Sequence, residues 1–276
     1  MANVRKNPAK RKTLTFRPLA TLYACLVYLF LYLPIIVVVV YSFNTSKRNV
    51  VFEGFTLSWY GEMFQNTLLM QSFYNTVIVA ACSTLLSVLL GTLCAFGLYK
   101  FEFKLKGLIN SAIYIPIIIP ELVLAISMLA FFSLLDISMN MATLIISHVT
   151  FSMPFVAITV RSRLAGFDHA LEEAARDLGA GPVHTFFRVT LPNIFPGILS
   201  GGMLALTLSL DDVVVSYFTA GADSTTLPLK IMGMVKKGVT PDVNALSTLM
   251  ILGTVLVMIA VNFVQGRMEK STEEVS

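Results

Sequence analysis

The sequence predicts an all-α membrane protein of six transmembrane helices with both termini cytoplasmic. Three observations predict it. The 276-residue chain is 56% apolar and only 13% charged, whereas a soluble domain carries about 25% charged residues. Its apolar residues gather into charge-poor runs near the roughly 20 residues that cross a hydrocarbon core as helix. Its basic residues are shared unequally between alternate connecting segments.

The runs fall at residues 19–43, 73–98, 108–135, 142–160, 194–218 and 245–264. With a cytoplasmic amino terminus, fifteen Lys and Arg residues lie inside and five lie outside, the asymmetry of the positive-inside rule. Residues 1–18 form a basic cytoplasmic segment. Its VRKNPAKRK run either holds anionic lipid headgroups, at about 1 kcal/mol per charge, or serves only to orient the chain. The first span is too long for a signal-peptide core and lacks a small-x-small cleavage site, so it is read as retained. The net charge of +4 is spread as topology signals, which speaks against a nucleic-acid partner.

Between the first two spans, FTLSWYGEMF holds Trp59 and Tyr60. They are expected at the membrane interface or against an external partner. The third span contains YIPIIIPEL. Pro116 and Pro120 each remove a backbone donor and free carbonyls that need new partners. A kinked helix with Glu121 at the break suits a cation path, or the kink merely shapes packing. In the fourth span His148 is either an interhelical hydrogen bond or a pathway residue.

The fifth span carries PGILSGG, whose Gly197 and Gly201 permit close helix approach. It also carries Asp211 and Asp212, each costing about 2.5 to 3.5 kcal/mol at a helix centre and therefore expected to face a bundle interior or wet cavity. At about 100° per residue the two cannot share a helical face. Ser209, Asp212, Ser216 and Thr219 form a polar stripe, so Asp212 is the stronger candidate for a cavity wall. Asp211 either joins it or bonds a neighbouring helix. Beyond this span, LPLKIMGMV reads as a short interfacial or re-entrant helix bounded by Pro228 and a turn at 238–241. Residues 267–276 form a cytoplasmic tail.

The longest inner segment, 161–193, is different in kind. Asp168 can cap a helix on which Leu171, Ala174, Ala175 and Leu178 form an apolar stripe. Glu172 and Glu173 sit near its positive end. Gly179 is placed to end it in the left-handed region, and Gly181 with Pro182 to open a second helix. The stripe is either the face of a packed connector or, beside exposed acids, a docking face for a partner's groove.

Residues 173–192, EAARDLGAGPVHTFFRVTLP, carry E-A-A, three residues, G, nine residues, an aliphatic, one residue, and L-P. This resembles the EAA loop of permease subunits of binding-protein-dependent ABC importers, with Val189 at a position commonly Ile. YSFNTS, FTLSWYGEMF, VRSRLAGFDHALEEAARDLGA, LTLSLDDVVVSYFTAG and TLPLKIMGMVKKGVTPDVNALSTL resemble the second of the two spermidine/putrescine permeases in particular. The resemblance implies a type I ABC importer permease fold over residues 19–266 in a bacterial inner membrane. It implies two ATPase subunits, a second permease and an extracytoplasmic polyamine-binding protein as partners. Glu173, Ala174, Ala175 and Gly179 would engage the ATPase, with Leu191 and Pro192 closing the motif. Glu121, Asp211, Asp212, Ser209 and Ser216 are the candidates for the substrate path. Family members more often carry Asp at the Glu121 position.

No cofactor or metal is expected. No Lys directly follows a Gly, so the phosphate cradle of a Walker A loop is missing and ATP hydrolysis falls to another subunit. His169 with Glu172 or Glu173 lacks further ligands for a metal, and Cys25, Cys82 and Cys94 all fall inside spans, where packing is their expected role. An ion-coupled secondary transporter would leave the EAA loop unexplained. A membrane enzyme would need an inward-facing catalytic cluster that the sequence lacks. The same importer with another small solute stays open.

Overall fold

The computed structural model describes residues 17–47, 51–235 and 240–273. The basic run over 1–16 and the turn expected at 238–241 lie wholly or partly outside the described residues. Those residues are almost entirely helical.

Four expected spans are single helices: α1 (Arg17–Tyr41), α3 (Thr67–Lys100), α6 (Met141–Ala165) and α12 (Pro241–Glu273), with the short α2 (Ser58–Gln65) before α3. Residues 20–37 of α1 are all exposed, as befits an apolar helix that faces lipid or another subunit. The third expected span is not one kinked helix. It is α4 (Lys106–Ile118) and α5 (Glu121–Leu134), which meet at 109°. Proline disfavours helical geometry in the residue before it and cannot donate itself, and Ile119 and Pro120 are accordingly extended, with ψ of 133° at each.

The loop over 161–193 forms α7 (His169–Asp177) and α8 (Pro182–Thr185). From α8 the chain runs through a π-helical turn (Phe186–Thr190) into α9 (Leu191–Asp211) without a break. The fifth span therefore begins well before residue 194. It also ends early: Asp212 is extended, with ψ of 130°, and a separate α10 (Val214–Thr219) follows. The continuous helix expected over 194–218 is thus corrected, and with it the unbroken polar stripe. The short helix α11 spans Leu227–Val235, as its composition predicts.

Helices α3, α6 and α9 form the centre, packed through Ala95, Val156, Val160, Leu164, Ile194, Ile198 and Ala205. Lipid is as apolar as leucine, so van der Waals fit rather than water exclusion holds such helices together. Gly197 and Gly201 make that fit possible. A Cβ on Gly201 would stand 3.1 Å from the Val156 Cα, and one on Gly197 would stand 2.9 Å from the Arg163 Cβ.

A second core caps the amino end of α3, where Trp59, Met63, Leu69, Leu227, Val243 and Leu246 meet. Trp59 is buried and donates its indole N–H to the Asn44 carbonyl at 2.6 Å. It is a core residue of this cap, a correction to the interfacial or partner-facing position expected. Only burial could reveal this, since a membrane belt and a small core favour the same side chain.

Candidate functional site

The two helix breaks face each other. Between them lies a cavity of about 580 Å³ lined by residues 116–121 of one break, 211–214 of the other, and Leu124, Phe151, Phe155 and Leu208. Both α4 and α9 point their carboxyl ends into it, and a helix carboxyl end carries about half a negative charge on unpaired carbonyls. The amino ends of α5 and α10 contribute the opposite sign. What decides the field is how the three carboxylates are used.

Asp212 is committed to the protein. Its side chain is 1% exposed. One oxygen accepts from the Val215 N–H at 3.0 Å, and the other accepts from the Ser216 N–H at 2.7 Å and its hydroxyl at 2.6 Å. These contacts cap α10 and consume its positive end. The His148 Nε2 stands 3.3 Å from the same carboxylate. On the other side of that ring, Nδ1 lies 2.7 Å from Ser209 Oγ, which in turn lies 3.0 Å from Ser83 Oγ. Buried Ser83, Ser209, His148, Asp212 and Ser216 thereby join α3, α6, α9 and α10. Ser209 and His148 are 3% and 0% exposed, so this Ser–His–Asp grouping has no access for a substrate.

Asp211 and Glu121 are different. Both are exposed on the cavity wall, Asp211 at the carboxyl end of α9 and Glu121 in the first turn of α5. The order of candidates read from the sequence is therefore reversed in accessibility: Asp211 stands open, while Asp212, Ser209 and Ser216 are buried together. A helical wheel cannot foresee this, because the chain leaves the helix between the two aspartates. The His148–Asp212 contact had a signal, since intramembrane ionisable residues usually pair, but only the fold names the partners.

On the loop of α7 and α8, the Asp168 carboxylate accepts the Ala170 N–H at 3.0 Å and caps α7. Gly179 ends the turn at φ of 84°. Glu173, Ala174 and Gly179 are exposed, Ala175 and Leu191 are half-buried, and Pro192 is exposed. The apolar stripe is not packed: Leu171 is 44% and Leu178 89% exposed.

Glu172 reverses the expectation of an exposed acid. It is 4% exposed, ion-paired to Lys100, 3.5 Å from Arg176, and accepts the Thr190 hydroxyl at 2.7 Å. Burial by itself would raise its carboxyl. The hydrogen bonds from Lys100 and Thr190 and the charges of Lys100 and Arg176 outweigh burial and hold it below its ordinary value. Its contribution to stability is therefore complete above the ordinary glutamate value, about 4.3, and is lost as pH falls through the lowered folded value. Acidification across that range is expected to raise amide exchange in α7. Glu172→Gln should abolish this pH step, and an unchanged step in the variant would refute the assignment.

Comparison with known proteins accords with this architecture. Residues 87–274 match the family described as binding-protein-dependent transport system inner membrane component. The chain is 42% identical over 226 residues to the spermidine/putrescine transport system permease protein PotC of Haemophilus influenzae, covering 82% of this chain and 88% of the relative. It is 41% identical over 234 residues to PotC of Escherichia coli, covering 85% and 89%. To the putrescine transport system permease protein PotI of Escherichia coli it is 38% identical over 249 residues, covering 87% and 88%.

Among solved structures, a bacterial ABC transporter involved in import of the acidic polysaccharide alginate matches with a TM-score of 0.67 at 16% identity, over 94% of this chain and 99% of that one. The inward-facing MetNI methionine ABC transporter matches with 0.60 at 22%, over 73% and 96%. At these identities the likeness concerns the fold, which is that of an ABC importer permease. Helices long and apolar enough to span a bilayer, a broken pair at the cavity and the EAA loop thus meet in one chain, which belongs to the family of binding-protein-dependent transport system inner membrane components, multi-pass permease subunits of ABC importers.

Proposed function

We propose that this permease subunit serves an importer of polyamines such as spermidine or putrescine and forms one side of their path. The observation that carries the reading is the cavity between the two helix breaks, where Glu121 and Asp211 stand exposed beside the carboxyl ends of α4 and α9. Discontinuous membrane helices commonly hold cations in this way, through carboxyl ends and unwound carbonyls. A polyamine spreads several ammonium groups along a flexible chain. Separated carboxylates offset its dehydration without a single tight cage, which permits release. The polyamine names of the relatives at 38–42% identity support the same cargo.

The remaining assembly follows from the family. Two ATPase subunits supply the hydrolysis, a second permease completes the path, and an extracytoplasmic polyamine-binding protein delivers the solute. Both termini are cytoplasmic in this reading, by the distribution of Lys and Arg. The exposed stripe of α7, with Glu173, Ala174, Ala175 and Gly179, is the surface offered to an ATPase, and Leu191 with Pro192 anchors the loop to α9. ATP-driven closure of the ATPases turns the cavity outward, and hydrolysis resets it.

The test is polyamine uptake by the reconstituted complex, with and without the ATPase. Uptake without the ATPase would overturn the reading in favour of an ion-coupled carrier. Gly179→Val forces a left-handed backbone position on a β-branched residue, at about 1–2 kcal/mol. That variant and Glu173→Ala are each expected to insert normally yet lose most coupling of hydrolysis to uptake. Normal uptake in both would count against the docking role.

A further inference from the structure

Helix α7 has little apolar attachment to the rest of the molecule. Its sole buried residue is Glu172, and Leu171 on the helix and Leu178 just past its end are exposed. A nine-residue helix is only marginally stable alone. A displacement imposed on it would be absorbed locally unless polar side chains hold it to the bundle.

Those side chains converge on the last turn of α3. Phe96, Tyr99 and Lys100 occupy i, i+3 and i+4, one face of that helix. Phe96 meets Phe186 of the π-helical turn edge to face, with ring centroids 4.6 Å apart. Tyr99 stacks on His169 at 5.5 Å and an interplanar angle of 6°, its hydroxyl 3.1 Å from Nε2. Lys100 is ion-paired to Glu172. The second oxygen of that same carboxylate takes the Thr190 hydroxyl, from the last residue of the π-helical turn. One buried carboxylate therefore bridges α7, the end of α3 and the start of α9. A π-helical turn is an irregularity often found at functional hinges, and here it is held at the foot of a helix whose other end closes the cavity.

We infer that Glu172 is a positioning residue that couples the loop helix to α3 and α9 together, so that a push on α7 moves both helices as one body. This rests on the proposed importer function. It assigns a task to a residue outside the EAA tripeptide. Movement of α3 would carry Ser83 against Ser209 and so reach the break beside Asp211. Without the bridge, α7 would tilt on its own while the ATPase continued to turn over.

The experiment is the ratio of polyamine accumulated to ATP hydrolysed by the complete complex in proteoliposomes, with subunit stoichiometry checked by copurification. Glu172→Gln is expected to lower that ratio about thirtyfold with assembly intact, because it neutralises the carboxylate shared by both contacts, and Thr190→Val about tenfold, because it removes one charge-assisted hydrogen bond. Glu172→Lys should be worse, and Lys100→Glu combined with Glu172→Lys should recover to within about twofold of wild type, the signature of a direct pair. A purely structural role would lower assembly and leave the ratio per assembled complex unchanged. An unchanged ratio in Glu172→Gln and Thr190→Val, or a double variant no better than Glu172→Lys alone, overturns the inference. Should Glu172→Gln fail to assemble, Thr190→Val and Lys100→Met decide by the same ratio. A wild-type complex that hydrolysed ATP without accumulating polyamine would instead sink the cargo reading, before any variant is compared.

Discussion

Polyamine uptake is expected to fall about a hundredfold when Glu121→Gln and Asp211→Asn are combined, and about tenfold for each alone, because each charged contact to an ammonium group is worth about 1.5–3 kcal/mol. Both side chains are exposed on the cavity wall, and glutamine at 121 still offers a hydrogen-bonding group to the buried Asp212 carboxylate beside it, so expression should be little changed. Asp212→Asn is expected to act differently. Asparagine has a single acceptor oxygen, so it can keep only one of the two backbone N–H contacts of α10, and it loses the negative charge facing His148. Its deficit should appear in protein yield as well as in uptake. The check is initial uptake by complexes of matched abundance. Full uptake by the Glu121→Gln, Asp211→Asn double variant would remove the cation path from this cavity.

His148→Leu is expected to destabilise the subunit by about 3 kcal/mol, the upper end of the cost of depriving a buried acceptor of a hydrogen-bond partner. The imidazole is fully buried between Ser209 on one nitrogen and Asp212 with Ser216 on the other. Leucine fills the volume but leaves the carboxylate with only its capping contacts and Ser209 with Ser83 alone. Adding Asp212→Asn should restore part of the loss, since the stranded charge disappears. Thermal unfolding of the purified subunit in mild detergent measures both. A loss near 0.6 kcal/mol, typical of an interhelical hydrogen bond between neutral groups in a membrane, would show that no charge is stranded there.

Much of the loop was legible in the sequence because its signals are local. Asp168 caps, Gly179 turns left-handed and Pro182 opens the next helix, each through chemistry within four residues of itself. The π-helical turn was not legible, because FFRVT carries no residue that demands it. Glu172 was misread as a solvated acid for a related reason. Lys100, its ion-pair partner, lies 72 positions away, and no periodicity within a loop can report such a contact.

At the cavity the same boundary applies. Pro116 and Pro120 announced an interruption at Glu121, but a proline pair reads equally as a mild kink or as the 109° turn observed. Asp211 and Asp212 were ranked by assuming helix through both, and the chain extends at Asp212 instead. Nothing adjacent to SLDDVV forces that break. It becomes favourable once His148 on another helix meets the carboxylate and the freed N–H groups of α10 can be capped by it.

By itself, the sequence determined which segments are long and apolar enough to cross a membrane and which one stands apart as a connecting loop. Hydrocarbon thickness and the need to satisfy every backbone group act on contiguous residues, so they are written along one dimension. Only the tertiary structure decided which acids are spent on helix ends and ion pairs and which remain exposed on the cavity wall. That choice depends on which distant side chains arrive beside them, and in a medium without water a carboxylate that finds a partner is buried while its neighbour in sequence is left facing the cavity.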